Sequence, residues 1–412
     1  MRILFVFSKY PAETFAIVEV EALRDQGVDV VPLSLRGGRR WLRRRHANCD
    51  RHHDKVAVVS LAAPGTWAAF FRFLVRHPVV AVREIVDAVR ENALHPGHLV
   101  RSLYVCLKAP AVAELVRTGG IDAVHIFWGH YPSLIIPFLK RVMPDVPVTA
   151  FLGAYSLVKR IPSGPRVLME ADVLTTHFDG HVPELHNGWL RRHLPVALIY
   201  RGLDLAAVMG RQHAQPRDIR LVIVSRLVIN KNVEDGLRAF ALLHRKHPEL
   251  SLDIIGEGPR RKPLEQLARD LDVEARVTFH GLLPHDRALA VVAGARALVM
   301  PSLSPYEFYP NALKEAMALG IPCAAYAVPG VASFDVTGRA VRLVRPGRVE
   351  ELAQATADLI EDRELARATA AAAMARVRDF DTRATSARQA ELYRALVARA
   401  PLPAWVIEAT HE

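Results

Sequence analysis

Short apolar runs alternate with longer amphipathic segments along the whole chain, which is how stacked strand-helix-strand units read. In the first half the runs predict buried strands over residues 3–7, 29–33, 56–60, 123–127, 147–151, 171–175 and 196–199. A helix over 15–26 that stops at Gly27 separates the first two, and 67–117 reads as mostly helical. The second half repeats the scheme more sharply. Strands over 221–225, 250–255, 277–279, 297–300, 323–326 and 341–343 alternate with helices over 233–247, 264–271, 288–294 and 311–319. In the first of these helices Val233, Leu237, Phe240 and Ala241 share one face. A polar, proline-containing segment over 210–218 separates the halves and is the predicted hinge, and an alanine-rich helical run over 350–397 either covers the second half or passes back across that hinge.

The predicted fold class is therefore α/β, with two Rossmann-like doubly wound lobes over 1–209 and 219–385 and a C-terminal tail over 386–412 that is helical at its start. At 412 residues the chain is long enough for two domains of about 200 residues each. A composition of 51% hydrophobic and 24% charged residues excludes a disordered chain. Cys49, Cys106 and Cys323 lie too far apart to suggest a disulfide framework or a zinc ligand set. The first apolar run ends at Ser8 with no cleavage pattern behind it, so it reads as a buried strand and not a signal peptide. No uncharged apolar stretch reaches the length of a spanning helix. The expected localisation is cytoplasmic.

Net charge is +11, and the excess concentrates in the run from Arg36 to Arg45. Such a run is either a solvated loop or an attractor of anionic partners. Trp41 and Leu42 inside it, with Phe70, Phe71, Phe73 and Leu74 nearby, favour an anionic membrane surface at the inner face. Nucleic acid is not expected as a partner, since no zinc-finger spacing or ribonucleoprotein motif accompanies the charge.

Three clusters carry candidate chemistry. Ser225-Arg226 to Lys231-Asn232 follows a predicted strand and leads into a helix. Its arginine can fork onto phosphate oxygens and its lysine adds a mobile positive charge, a pair suited to an anion whose charge grows as a bond to it breaks. Gly256-Glu257-Gly258 ends another strand; its glycines read either as a turn or as a place where a ligand approaches the backbone. Because position 261 is arginine, it is not a dinucleotide fingerprint. The third runs from Glu307 through Tyr309, Pro310, Asn311 and Ala312 to Glu315. Pro310 is predicted to open a helix whose free N–H groups point into the preceding loop, where an anion such as a diphosphate is received. Glu307 and Glu315 then stand at different heights, able to accept hydrogen bonds from separate hydroxyls of one elongated ligand.

From about 220 to 385 these residues resemble the retaining glycosyltransferase family often called family 4, which has the two-lobed B-type fold. The matching positions are Arg226 and Lys231, Gly256-Glu257-Gly258, Phe279-His280-Gly281, and Glu307 to Glu315 followed by Ala-Met-Ala-Leu-Gly320. The resemblance implies a UDP- or GDP-sugar donor held mainly by the second lobe, with Arg226 and Lys231 on the diphosphate, Glu315 on the ribose and Glu307 on the donor sugar. Gly256, Glu257, Gly258, His280, Tyr309, Asn311 and Ala312 complete the implied donor site. The first lobe is then the acceptor side, for a glycan, a lipid-linked sugar or a small molecule. Lys9-Tyr-Pro11-Ala-Glu13-Thr14-Phe15 and Val124-His125-Ile-Phe-Trp-Gly129-His130 are similar to the exopolysaccharide and colanic-acid-type branch and place His125 and His130 among the expected catalytic residues. The chain departs from that branch where Phe127 replaces a histidine, where Leu152 and Tyr155 replace a histidine and an aspartate, and where Phe308 replaces a glycine.

The function expected on this resemblance is sugar transfer with retention in cell-envelope or exopolysaccharide glycan synthesis. A nucleotide-sugar epimerase of the same fold and a non-catalytic sugar-nucleotide-binding protein are the alternatives. His177, His181 and His186 match no metal-ligand spacing, so no metal and no cofactor beyond the donor are expected.

Overall fold

The computed structural model describes residues 1–10, 14–36, 56–153, 161–185, 194–210, 220–335 and 337–407. The arginine run beyond Arg36, Cys49, the departure at Tyr155, His186 and the predicted hinge beyond Gly210 lie outside the described residues. The chain divides into two compact units: Met1–Gly202 together with Arg383–Glu412, and Leu203–Thr382.

The first unit is built on β1 (Arg2–Phe7), β2 (Asp29–Ser34), β3 (Ala57–Val58), β4 (Ala123–Ile126), β5 (Val148–Leu152), β6 (Val173–Thr176) and β7 (Val196–Leu198). These pair in parallel in the order β7-β6-β5-β4-β1-β2-β3. Residues 3 to 7 of β1 are at most 1% exposed because both faces of the sheet are covered, so a central parallel strand reads as an unbroken apolar run. The segment predicted as mostly helical is four helices, Pro64–Arg76, Pro78–Asn92, Pro96–Cys106 and Ala109–Thr118. Each carries a proline in its first turn, where the missing N–H costs nothing, and those prolines set the breaks that the apolar periodicity alone does not show.

The second unit holds β8 (Arg220–Val224), β9 (Ser251–Ile255), β10 (Val277–Gly281), β11 (Ala297–Met300), β12 (Cys323–Tyr326) and β13 (Arg342–Val344). All pairs are parallel, in the order β10-β9-β8-β11-β12-β13. In both units the chain begins mid-sheet, winds outward, then returns to the far side of its first strand. β1 therefore neighbours β4, and β8 neighbours β11. At such a reversal the two connecting loops leave the strand ends in opposite directions and open a crevice.

The alanine-rich tail serves both units. Its helices Val349–Glu361 and Arg363–Val377 belong to the second, where Leu352, Ala355 and Leu359 pack in the core that contains Leu237 and Phe240. Asp362 between them caps the latter by accepting from the N–H groups of Glu364 and Leu365. The last helix, Thr382–Ala398, packs on the first sheet: Ala390 and Tyr393 are fully buried in one cluster with Phe5 and Val20. Gln389 Nε2 donates to Glu19 at 2.9 Å and to the Tyr393 hydroxyl at 3.0 Å. A short terminal strand, β14 (Val406–Ile407), pairs antiparallel with β7, a feature the sequence pattern does not reveal. Where the chain passes between units its two segments are tied together, Leu203 N–H to Phe380 O at 2.7 Å and Thr382 N–H to Leu203 O at 3.0 Å. These boundaries lie at 202/203 and 382/383, whereas the predicted hinge begins at 210 and the predicted second lobe ends at 385.

Tyr393 is the largest side chain that the tail buries in the first unit. Tyr393→Ala is expected to lower that unit's unfolding free energy by about 3–5 kcal/mol, the usual cost of emptying a buried aromatic site. Chemical denaturation checks it, and an unchanged midpoint would show that the last helix does not complete this core.

Candidate functional site

The crevice between β8 and β11 holds a cavity of about 210 Å³. β8 delivers Ser225 and Arg226 to its rim, and the 3-10 turn Ile229–Lys231 brings Lys231. From the other side come Ser302, Glu307, Asn311 and Ala312, on the loop after β11 and the start of the helix Asn311–Ala318. Arg226, Lys231, Glu307, Asn311 and Ala312 of the sequence-predicted set are thus brought together. Ser302 was not anticipated. Its signal is positional: it sits just past the carboxyl end of the strand on the other side of the reversal.

Lys231 Nζ is paired with Glu307 Oε2. Glu307 is only 8% exposed, and its Oε2 also accepts from Ser302 Oγ at 2.8 Å. An ion pair this buried gains little net stability, because desolvation offsets most of the attraction, but it fixes both side chains in place. Arg226 is exposed, and its guanidinium makes no hydrogen bond or ion pair among the described residues. Pro310, with ψ near 135°, takes the N-cap place one residue before the helix instead of the first helical position. No side chain caps this helix. The first turn bonds Leu313 and Lys314 N–H to Pro310 O, which leaves the Asn311 and Ala312 N–H groups as the orphan donors of the helix start. Two cations and an open helix N-terminus around one cavity favour an anion with several oxygens.

The loops are held by close backbone contacts. An ideal Cβ on Gly256 would lie 1.8 Å from Ser225 O, and one on Gly258 2.3 Å from Leu227 O. These glycines let the 256–258 segment brace the Arg226 loop, with Leu227 N–H donating to Glu257 O at 2.9 Å and Arg260 N–H to Leu227 O at 3.0 Å. Neither lines the cavity, and the Glu257 side chain is turned to Arg261. Gly330 does the same for the other loop, since a Cβ there would meet Glu307 O at 2.3 Å. Tyr309, in the left-handed region at φ 46°, is buried against Phe334 and Phe380 and so anchors the loop behind Glu307.

Two further expected residues stand apart from this cavity. His280 bonds Asp253 Oδ1 at 2.7 Å between β10 and β9. Glu315, one turn into its helix, bonds His285 Nε2 at 2.9 Å. In the first unit, strand alternation turns His125 into the sheet interior on the side of Phe5 and Tyr393, where it is 1% exposed. Its Nδ1 shares a hydrogen bond of 2.8 Å with Thr149, and burial pushes its pKa down to about 3. It lines no cavity described in the unit. His130 does line one, at the β1/β4 reversal, with its ring stacked on Trp128. Burial, aided by Arg36, lowers its pKa to about 4. His181 bonds Thr176 at 2.8 Å, and burial lowers it to about 4 as well.

The family model described as glycosyl transferases group 1 matches residues 209–376, which contain the whole β8/β11 site. The GDP-mannose-dependent alpha-(1-6)-phosphatidylinositol monomannoside mannosyltransferase of Mycolicibacterium smegmatis is 30% identical over 336 residues, covering 77% of this chain and 83% of that protein. The chain belongs to the glycosyl transferases group 1 family. Glycogen synthase of Mycobacterium tuberculosis is 31% identical over 202 residues; that match covers 48% of this chain and 48% of the synthase, so the chain spans about half the length of that relative. Among solved structures, Anabaena HepE in complex with UDP superposes with a TM-score of 0.69 at 18% identity, covering 96% of this chain and all of that one. The group 1 chain thus has the two-sheet, B-type glycosyltransferase fold.

The buried His125 and His181 and the half-buried His130 make the first unit acid-sensitive. In the unfolded chain these rings protonate near pH 6.5, whereas in the folded unit they stay neutral down to about pH 3 to 4. Their contribution is therefore complete above pH 6.5 and lost as pH falls through that window; at pH 5 each costs about 2 kcal/mol. The urea midpoint is expected to drop between pH 7 and pH 5, and to drop less in His125→Gln. An equal drop in the variant would show that His125 is not a buried neutral ring.

Proposed function

We propose that this chain is a hexosyltransferase that moves a sugar from a UDP- or GDP-sugar to an acceptor hydroxyl, with retention at the anomeric carbon. The observation that carries this reading is the convergence of Arg226, Lys231 and the uncapped Asn311–Ala318 helix on one cavity at the β8/β11 reversal. As the bond from the anomeric carbon to the diphosphate oxygen breaks, negative charge gathers on the departing diphosphate. The guanidinium, the ammonium and the Asn311 and Ala312 N–H groups are aimed at that charge, so they stabilise the transition state more than the bound donor. The diphosphate itself takes the proton of the acceptor hydroxyl, which attacks on the face the diphosphate leaves, and no enzymic nucleophile is needed. Glu307 accepts from a hydroxyl of the donor sugar and Glu315 from the ribose. The complex of HepE with UDP and the GDP-mannose dependence of the mycobacterial relative support a nucleoside-diphosphate donor.

Cell-envelope glycan synthesis is the setting that fits best, at the inner face of a membrane. The relative's lipid substrate, phosphatidylinositol monomannoside, supports it. So do exposed apolar side chains on two successive helices, Phe71 and Val75 on Pro64–Arg76 and Val79 and Val82 on Pro78–Asn92, each more than half exposed. Arg76 and Arg83, also exposed, stand beside them in the sequence, and such a pairing of apolar and basic groups suits an anionic lipid surface. No helix among the described residues is long and apolar enough to cross a membrane.

Calorimetric titration with UDP- and GDP-sugars, without added metal, tests the donor assignment. One nucleotide class is expected to bind saturably, and Arg226→Gln to weaken it about tenfold or more, the worth of a charge-assisted contact to phosphate, without changing the thermal midpoint. Equal affinity in the variant would remove Arg226 from the site.

A further inference from the structure

The reversal between β1 and β4 in the first unit opens a second cavity, of about 310 Å³. Lys9 reaches it from the end of β1, Arg36 from beyond β2, and Arg101 and Tyr104 from the helix Pro96–Cys106. His130 and Tyr131 close it from beyond β4. Three cations thus line the cavity, and no carboxylate does among the described residues. Arg101 lies 5.7 Å from the centre of the Tyr131 ring, and its Nη1 is 3.4 Å from the Tyr131 hydroxyl, so the guanidinium is positioned at the wall.

A second observation points to the same charge. Lys108, 1% exposed, lies behind Tyr104 with its ammonium donating to Leu35 O at 2.6 Å, Val59 O at 2.7 Å and the Tyr104 hydroxyl at 2.6 Å. All three partners are neutral, so the ammonium is solvated by dipoles and its charge is not cancelled. Burial, with Arg36 adding to it, lowers its pKa to about 8. Tyr104 both accepts from this ammonium and lines the cavity, so an anion there would supply the counter-charge that the cage lacks. His130 is neutral at physiological pH and offers a hydrogen bond there, not a charge. The volume falls within the range of small-ligand pockets, room for a phosphoryl group together with the residue that carries it.

We infer that this cavity binds a phosphoryl group of the acceptor, through Lys9, Arg36 and Arg101. The inference rests on the glycosyltransferase reading for the word acceptor, but the anion site stands on the first unit alone. The donor diphosphate has its own cations in the second unit, so the two anions do not compete. A sugar phosphate in solution and a phosphoinositide headgroup share the required chemistry.

Titrations of the full chain separate these sources. One arm uses glucose 1-phosphate; the other uses phosphatidylcholine vesicles carrying phosphatidylinositol, against pure phosphatidylcholine vesicles. Wild type, Arg101→Gln and Lys9→Gln are compared, and each is also titrated with UDP and GDP. At least one phosphoryl probe is expected to bind saturably, with its dissociation constant raised about tenfold in both variants while nucleoside-diphosphate affinity is unchanged. The arm that responds names the source. If neither phosphoryl probe binds wild type, or all three proteins bind alike, the inference is overturned. Phosphoryl binding without any nucleoside-diphosphate binding would instead sink the donor reading and leave the anion site standing.

Discussion

The reversal of strand order between β8 and β11 is the constraint on which the site depends. Because these neighbouring parallel strands send their loops in opposite directions, the Ser225–Lys231 turn and the Glu307 loop face each other across a gap that neither fills. Every contact that shapes the site works on that gap. Gly256 and Gly258 let one loop rest on the neighbouring backbone, Gly330 and the left-handed Tyr309 do so for the other, and the Lys231–Glu307 pair joins the two. The first unit repeats the reversal at β1 and β4 and gathers cations there as well.

Charge is the second thread. Arg226, Lys231, Lys9, Arg36 and Arg101 all border cavities at strand ends. Glu307 is the resident partner of Lys231, and under the proposed function a diphosphate takes its place and leaves the carboxylate to accept from a sugar hydroxyl. Lys108 has no such partner, and its neutral cage of two carbonyls and one phenol is a costly arrangement for a buried ammonium.

Much of this architecture is legible in the sequence, for a definite reason. Central parallel strands are buried on both faces, so 297–300 and 323–326 stand out as continuous apolar runs and coincide with β11 and β12. Arg226 is legible because it lies just beyond such a run, and Lys231 and Glu307 are legible because their charges stand in the loops that follow β8 and β11. What the sequence hides is set by distant contacts. The last helix shows its alanine-rich helical run but not which sheet it packs on, and β14 is too short to carry a period. His125 looks like part of a reactive motif, yet the alternation of β4 sends it inward with Phe5. Gly256 and Gly258 read either as a turn or as an approach to a ligand, and only the fold shows the backbone approach to Ser225 and Leu227. Glu315 shows its carboxylate in the sequence but not its hydrogen bond to His285, thirty residues earlier.

The central claim is that the β8/β11 crevice receives a diphosphate on the backbone and cations of two loops. Hydrogen exchange of the full chain with and without a nucleoside diphosphate tests it most directly. The account predicts that amides in 225–232 and 311–313 exchange more slowly with the nucleotide bound, while those of the β1/β4 crevice are unchanged. Protection confined to the first unit, with 225–232 and 311–313 unaffected by a bound nucleotide, would contradict it.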